Sequence, residues 1–171
     1  MQLDGTLALC RALVSAIEGR PAESSAALEH ATELAARTGQ GDAFMLGFGP
    51  VSVGIWHMNA ALECGEPDKA IKVAEALNPQ EHPSRERRGT YWMDYGNALT
   101  RVRRRGDAAR ALLRAEKLHP VRVLRNPLAR DTLAELVAHS KDDALGREIR
   151  GMAYRAGLPL WGSNRKLFDT R

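Results

Sequence analysis

The stretch GEPDKAIKVAEALNP at 65–79 recurs as GDAARALLRAEKLHP at 106–120. Both read Gly, acid, two variable residues, a basic residue, Ala, Ile or Leu, two variable, Ala, Glu, variable, Leu, variable, Pro. The offset is 41 residues (106 − 65). A period in this range marks a protein built by stacking one supersecondary unit on its neighbours. The fold follows from it: all-α, a row of helical hairpins.

Working outward, apolar residues recur at helical spacing on both sides of these segments. A first helix is expected over about 3–18, with Leu3, Leu7, Cys10, Val14 and Ile17 as its core stripe and Leu9, Leu13 and Ala16 widening it. Gly19 ends it, and Pro21 opens a second helix over about 21–37 that buries Leu28, Ala31, Leu34 and Ala35. Residues 39–42 read as a turn, and the apolar run 44–48 leads into Gly49-Pro50. A third helix over 50–65 packs through Val51, Ile55, Met58 and Leu62, and a short fourth covers 67–77. Ser84 is the expected N-cap of a fifth helix over 85–105, with Tyr91, Tyr95, Ala98, Leu99 and Val102 inside and Trp92 beside them. A sixth helix reaches about 118, and 119–125 reads as an irregular basic connector. Asn126-Pro127 caps a seventh helix, Asp142 opens an eighth, and Gly157-Leu158-Pro159 reads as a left-handed C-cap and stop. The expected organisation is one repeat domain over 1–159, with hairpins at about 1–38, 44–79, 84–120 and 126–159, and a tail over 160–171.

With 171 residues, 44% hydrophobic and 27% charged, the chain has the composition of one soluble globular domain. No transmembrane run is present, and the N-terminus lacks the basic region of a signal peptide. Cys10 and Cys64 are too few for a disulfide framework and read as buried free thiols, so the expected location is cytoplasmic. Charge is uneven. Residues 1–82 carry 5 basic and 11 acidic side chains, whereas 83–130 carry 13 basic and 4 acidic. Such a distribution can steer a polyanion, pair within the chain, or form solvated faces.

The helix pairs resemble tetratricopeptide repeats. Tyr95-Gly96-Asn97-Ala98 is similar to that family's Gly-Asn-Ala segment, Gly106-Asp107 to its inter-helix turn, Ala111 to its second-helix small residue and Pro120 to its closing proline. The 41-residue period exceeds the usual 34, as if the first helix of the pair were a turn too long and the second a turn too short. A longer resemblance spans 48–158. Phe48-Gly49-Pro50, the run 94–99, Arg114-Ala115-Glu116, the run 126–131 and the run 151–159 resemble the C-terminal sensor region of actinobacterial Xre/Cro-type helix-turn-helix transcriptional regulators. That family often has Thr-Asn after Phe-Gly-Pro; this chain has Val51-Ser52. The resemblance implies a tetratricopeptide-like α-α superhelix that regulates transcription, touching DNA only through a separate N-terminal domain.

In a repeat solenoid the first helix of each pair lines the concave face. Two polar stripes occupy that place. One is Ser52, Trp56, Asn59 and Glu63; the other is Arg87, Thr90, Asp94, Asn97, Arg101 and Arg104. The residues expected to bind are Ser52, Trp56, Asn59, Asp94, Asn97, Arg101 and Arg104, with Asn pairing to a peptide backbone and Arg gripping a carboxylate. The same spacing also suits a solvated face with an Asp94–Arg101 contact, and Trp56 also suits the core. The arginines at 101–105, with Arg110 and Arg114, could meet nucleic acid, but no aromatics interleave to stack bases, and helix-end arginines are favoured by the dipole alone.

No enzyme is expected. The five histidines are scattered, no His/Cys/Asp cluster has metal-ligand spacing, and no phosphate loop or nucleophile elbow is present. No cofactor or metal is expected. The partner is expected to be a peptide, small molecule or protein in a concave groove. A ligand-independent dimerisation scaffold is the alternative.

Overall fold

Five prolines stand in the first turn of a helix, where a missing N–H costs nothing: Pro21, Pro50, Pro67, Pro120 and Pro127. Capping side chains open other helices. The Ser84 Oγ accepts from the Arg87 N–H at 3.3 Å, the Asn126 Oδ1 from Ala129 at 3.0 Å, and the Asp143 Oδ1 from Gly146 at 2.7 Å. The computed structural model describes residues 2–39 and 47–159. Among them are nine α-helices and no strand: α1 Gln2–Ile17, α2 Pro21–Thr38, α3 Pro50–Glu63, α4 Pro67–Glu75, α5 Arg85–Arg101, α6 Arg105–Leu118, α7 Pro120–Arg125, α8 Pro127–Ala138 and α9 Ala144–Arg155. The expected turn at 40–42, most of the apolar run 44–48, and the tail 160–171 lie outside the described residues.

Helices α1 and α2, α3 and α4, α5 and α6, and α8 and α9 pack as consecutive antiparallel neighbours. Helix α3 is the wall shared by two apolar cores. Val53 and Ala60 join the core of α1 and α2 around Phe48, while Val51, Ile55, Met58 and Leu62 join the larger core that runs to α9. Nine residues of α4 are too few for a stable helix alone. The segment holds its form because Ala70, Ile71 and Ala74 are buried and the buried Tyr91 hydroxyl donates to the Ala74 carbonyl at 2.8 Å.

Three expectations need correction. Residues 119–125 are not irregular: His119 accepts the Arg122 N–H through Nδ1, Pro120 takes the first-turn place, and α7 follows. Helix α5 ends at Arg101 rather than 105, and α6 starts at Arg105. The reason is a recurring turn. After α1, α3, α5 and α9, one residue is left-handed, at Gly19, Gly65, Arg103 and Gly157. In each case its N–H and the next one reach back to the helix's last carbonyls, as in Gly65 to Leu62, Glu66 to Ala61, Arg103 to Thr100 and Arg104 to Leu99. The structural register between the second and third hairpins is therefore 38 residues (103 − 65), not 41. It brings Asn59-Ala60 onto Asn97-Ala98.

The third correction concerns α1. Its expected core stripe faces outward: Leu3, Leu7, Val14 and Ile17 are 51–63% exposed, and Cys10 is also exposed. Cys64 is half-buried. The buried face is instead Gly5, Ala8, Leu9, Ala12, Ser15 and Ala16. Small residues win there because the backbone lies close to its neighbours. A Cβ on Gly5 would fall 2.1 Å from the buried ring of Phe48.

Arg103 sits at φ 63° without glycine's freedom, which costs a side-chain-bearing residue about 1–2 kcal/mol. Arg103→Gly is expected to stabilise the fold by about 1 kcal/mol after glycine's own entropy cost. Thermal unfolding should show a midpoint about 2–4 °C higher.

Candidate functional site

The polar stripes of α3 and α5 are buried against each other only in part, and this sorts the expected binding residues into three places. Ser52 and Trp56 line an open groove between α1, α3 and α5 with a volume of about 580 Å³. Thr6 and Leu9 form its α1 side, Glu86 and Arg87 its α5 side, and Arg122 reaches in from α7. The Arg87 guanidinium stands 5.8 Å from the Trp56 ring centroid, a cation–π distance. Arg122 pairs with Glu86 at 2.5 Å. The groove's back wall is fixed by His82, which is buried and accepts the Ser84 N–H through Nδ1. Gly47, at φ 57°, lets the chain pass that imidazole, because a Cβ there would lie 3.1 Å from the ring.

Asn59, Asp94, Asn97 and Arg101 form a second group deeper between α3 and α5. The expectation that Asp94 and Asn97 present to a ligand is corrected here, whereas Asn59 is half-buried and Arg101 exposed. Asp94 is 1% exposed and Asn97 5%. Asn59 Nδ2 donates to Asp94 Oδ2 at 3.2 Å. Arg101 donates through Nε to Asn97 Oδ1 at 3.3 Å and through Nη1 to the Leu62 carbonyl at 2.8 Å. There is no Asp94–Arg101 pair among the described ion pairs; Arg101 braces the end of α3 instead. The same spacing that suits a solvent face also suits a face turned to a partner helix, and α3 occupies that side of α5. Arg104 is in a third place, at the head of α6, paired with Glu75 at 3.2 Å and Asp107 at 3.1 Å. It shares no surface with Trp56.

Arg122 was not among the residues expected to bind. Its signal was present in His119-Pro120, a capping residue and first-turn proline that also read as the end of a hairpin. Arg87 was on the expected stripe but not among the binding residues. What distinguishes it is its position one turn into α5, opposite Trp56. Among the described residues no group of three or more His, Cys, Asp or Glu is placed to hold a metal ion, and no helix is long and apolar enough to cross a membrane.

Burial pushes the Asp94 carboxyl up to about 7, against an ordinary 3.8, and the hydrogen bond from Asn59 opposes this only in part. Between about pH 4 and pH 7 the folded chain keeps a proton on Asp94 that the unfolded chain has released. Stability therefore falls as pH rises through that window and levels off above it. Asp94→Asn keeps the shape and removes the charge. It is expected to stabilise the chain at pH 8 by roughly 2–4 kcal/mol, with little change at pH 4, as read by denaturant unfolding at both values. No family model, curated protein sequence or solved structure matches this chain.

Proposed function

We propose that this chain is a regulatory interaction module, a tetratricopeptide-like superhelix of stacked hairpins. Its groove between α1, α3 and α5 takes the carboxylate-bearing end of a peptide or partner protein. The observation that carries this reading is an arginine over an aromatic wall, with a second, Glu86-paired arginine across the groove. Arg87 lies on Trp56 with no carboxylate partner among the described ion pairs, and Arg122 stands across the same groove. Guanidinium groups grip carboxylates bidentately, and an aromatic face supplies apolar contact beside them. The resemblance of the runs 48–50, 94–99 and 151–159 to transcriptional regulators supports placing such a module beside a separate DNA-binding domain, whose pose occupancy would bias.

A panel of peptides with free or amidated C-termini tests this. Free-acid peptides should bind and amidated ones should bind far more weakly. Arg87→Ala should lose at least tenfold in affinity, about 1.4 kcal/mol, with little change in melting temperature. Equal binding of the amidated set would remove the carboxylate reading.

One observation favours a second function, a dimerisation scaffold. Leu3, Leu7, Cys10, Val14 and Ile17 are spaced four, three, four and three residues apart on the exposed face of α1. That is the a/d seam of a coiled coil, a surface complementary to another helix like itself. The occupant is a second copy of α1. Burying each large side chain would contribute up to about 1.5–3 kcal/mol. Sedimentation velocity should find a dimer that Leu7→Glu with Val14→Glu converts to a folded monomer. A wild-type monomer at tens of micromolar would end the idea.

A further inference from the structure

Three of the four left-handed turns use the same pair of residues. Gly19 and Pro21, Gly65 and Pro67, and Gly157 and Pro159 each put glycine at the left-handed position and proline two residues on. The turn between α5 and α6 has arginine at both positions, Arg103 and Arg105. Arginine is a poor residue for the first position and lacks proline's preset φ at the second. Backbone conformations held against preference concentrate at binding sites.

Both arginines line one cleft of about 410 Å³, between that turn and the loop joining α8 to α9. This is the size of a small-molecule pocket. Its two halves differ in character. Ala109, Leu136, Leu145 and Ile149 give an apolar floor, while Arg103, Arg105 and Lys141 give a cationic rim beside His139. Negative charge at the rim is already engaged. Asp143 caps α9 through Gly146, and Glu135 meets Arg105 only at 3.8 Å. The Arg105 Nε is buried without a hydrogen-bond partner, and no ion pair of Arg103 or Lys141 occurs among the described residues.

The loop that forms the far wall is held in place. Arg150 donates to the Ser140 hydroxyl at 3.1 Å and the Lys141 carbonyl at 3.2 Å, and pairs with Asp142 at 3.1 Å. The Lys141 carbonyl also lies where a Cβ on Gly146 would be, 1.9 Å away, so only glycine lets the loop sit on the first turn of α9. A polar loop fixed this firmly against a cationic turn is a preorganised wall rather than a loose connection.

We propose that this cleft is a binding site for a small organic anion with an apolar body, its head held by Arg103, Arg105 and Lys141 and its body laid on Leu136, Leu145 and Ile149. A carboxylate and a phosphate ester share the required chemistry. The site is separate from the groove at Trp56 and does not depend on the peptide-binding reading.

Calorimetric titration of the full chain with octanoate and with octyl phosphate tests this, with n-octanol and inorganic phosphate as the body-only and head-only controls. At least one amphiphile should bind saturably with one-to-one stoichiometry, and both controls should bind at least tenfold more weakly. The preferred head group identifies the anion. Arg103→Gly should raise the melting temperature of the free chain by a few degrees and weaken the preferred amphiphile at least tenfold, so loss of binding is not loss of fold. Lys141→Ala should weaken it severalfold with the melting temperature unchanged, and Leu7→Glu on the α1 face should leave it intact. The proposal is overturned if neither amphiphile saturates or octanol binds equally well. It is also overturned if Arg103→Gly leaves affinity unchanged, or if Leu7→Glu is the variant that abolishes binding.

Discussion

A helix can reverse direction within three residues only if its last carbonyls find donors and one residue adopts a left-handed backbone. The chain meets that condition in the same way after α1, α3, α5 and α9. The turn fixes how each second helix leaves the first. That exit angle brings Ala70, Ile71 and Ala74 of α4, and Ala108, Leu112 and Ala115 of α6, onto the helices before them. Hairpins shaped alike can then lie side by side, with α3 and α5 each contacting both flanking pairs. The two apolar cores are consequences of this geometry, since neither α4 nor α7 is long enough to stand without it.

Most of this was legible because glycine and proline announce it. Gly19-x-Pro21 and Gly65-x-Pro67 mark their turns openly. The third turn was hidden because it carries neither residue, and Gly106, three residues past the left-handed Arg103, offered a false anchor. That error stretched α5 and set the period at 41. Asn59-Ala60 and Asn97-Ala98 carried the correct register of 38 residues, but two matching residues weigh less than fifteen aligned ones. Helix α1 misled in a different way. Its large apolar residues and its small ones form separate stripes, and size favoured the wrong one. Close backbone approach selects small residues, so Gly5, Ala8, Ala12 and Ala16 face inward with Leu9, and Leu3 and Leu7 face out.

The candidate site shows the limit of periodicity more sharply. Spacings of three and four residues state that Asp94, Asn97 and Arg101 share a face, not what that face meets. In the fold it meets α3. Polar side chains are buried there with partners for their oxygens, Asn59 for the Asp94 Oδ2 and Arg101 for the Asn97 Oδ1 and the Leu62 carbonyl, while the Asn97 Nδ2 is buried without one. A hydrogen bond to a charged group adds about 1.5–3 kcal/mol, short of the several kcal/mol it costs to hold an ion out of water. The proton on Asp94 is therefore part of how α5 is seated. Trp56, one turn earlier on α3, stays half-buried at the open groove, whereas Ser52, two turns earlier, lines the groove but is itself buried.

Helix α5 consequently has a different chemistry at each end. Glu86 and Arg87 open onto the Trp56 groove, and the turn beyond Arg101 opens onto the cleft beneath α8 and α9. Seventeen residues separate the two ends by about 25 Å. Sites that far apart influence one another only through an element with two accessible states that each ligand prefers differently. Tyr91, Ala98 and Leu99 are packed into the core along this length and leave little freedom to shift. The Asp94 carboxyl is a group on the helix whose state does change near neutral pH, midway between the two ends. Any change in how α5 sits against α3 would be felt there, because the Asn59–Asp94 hydrogen bond crosses between the two helices and favours the charged form.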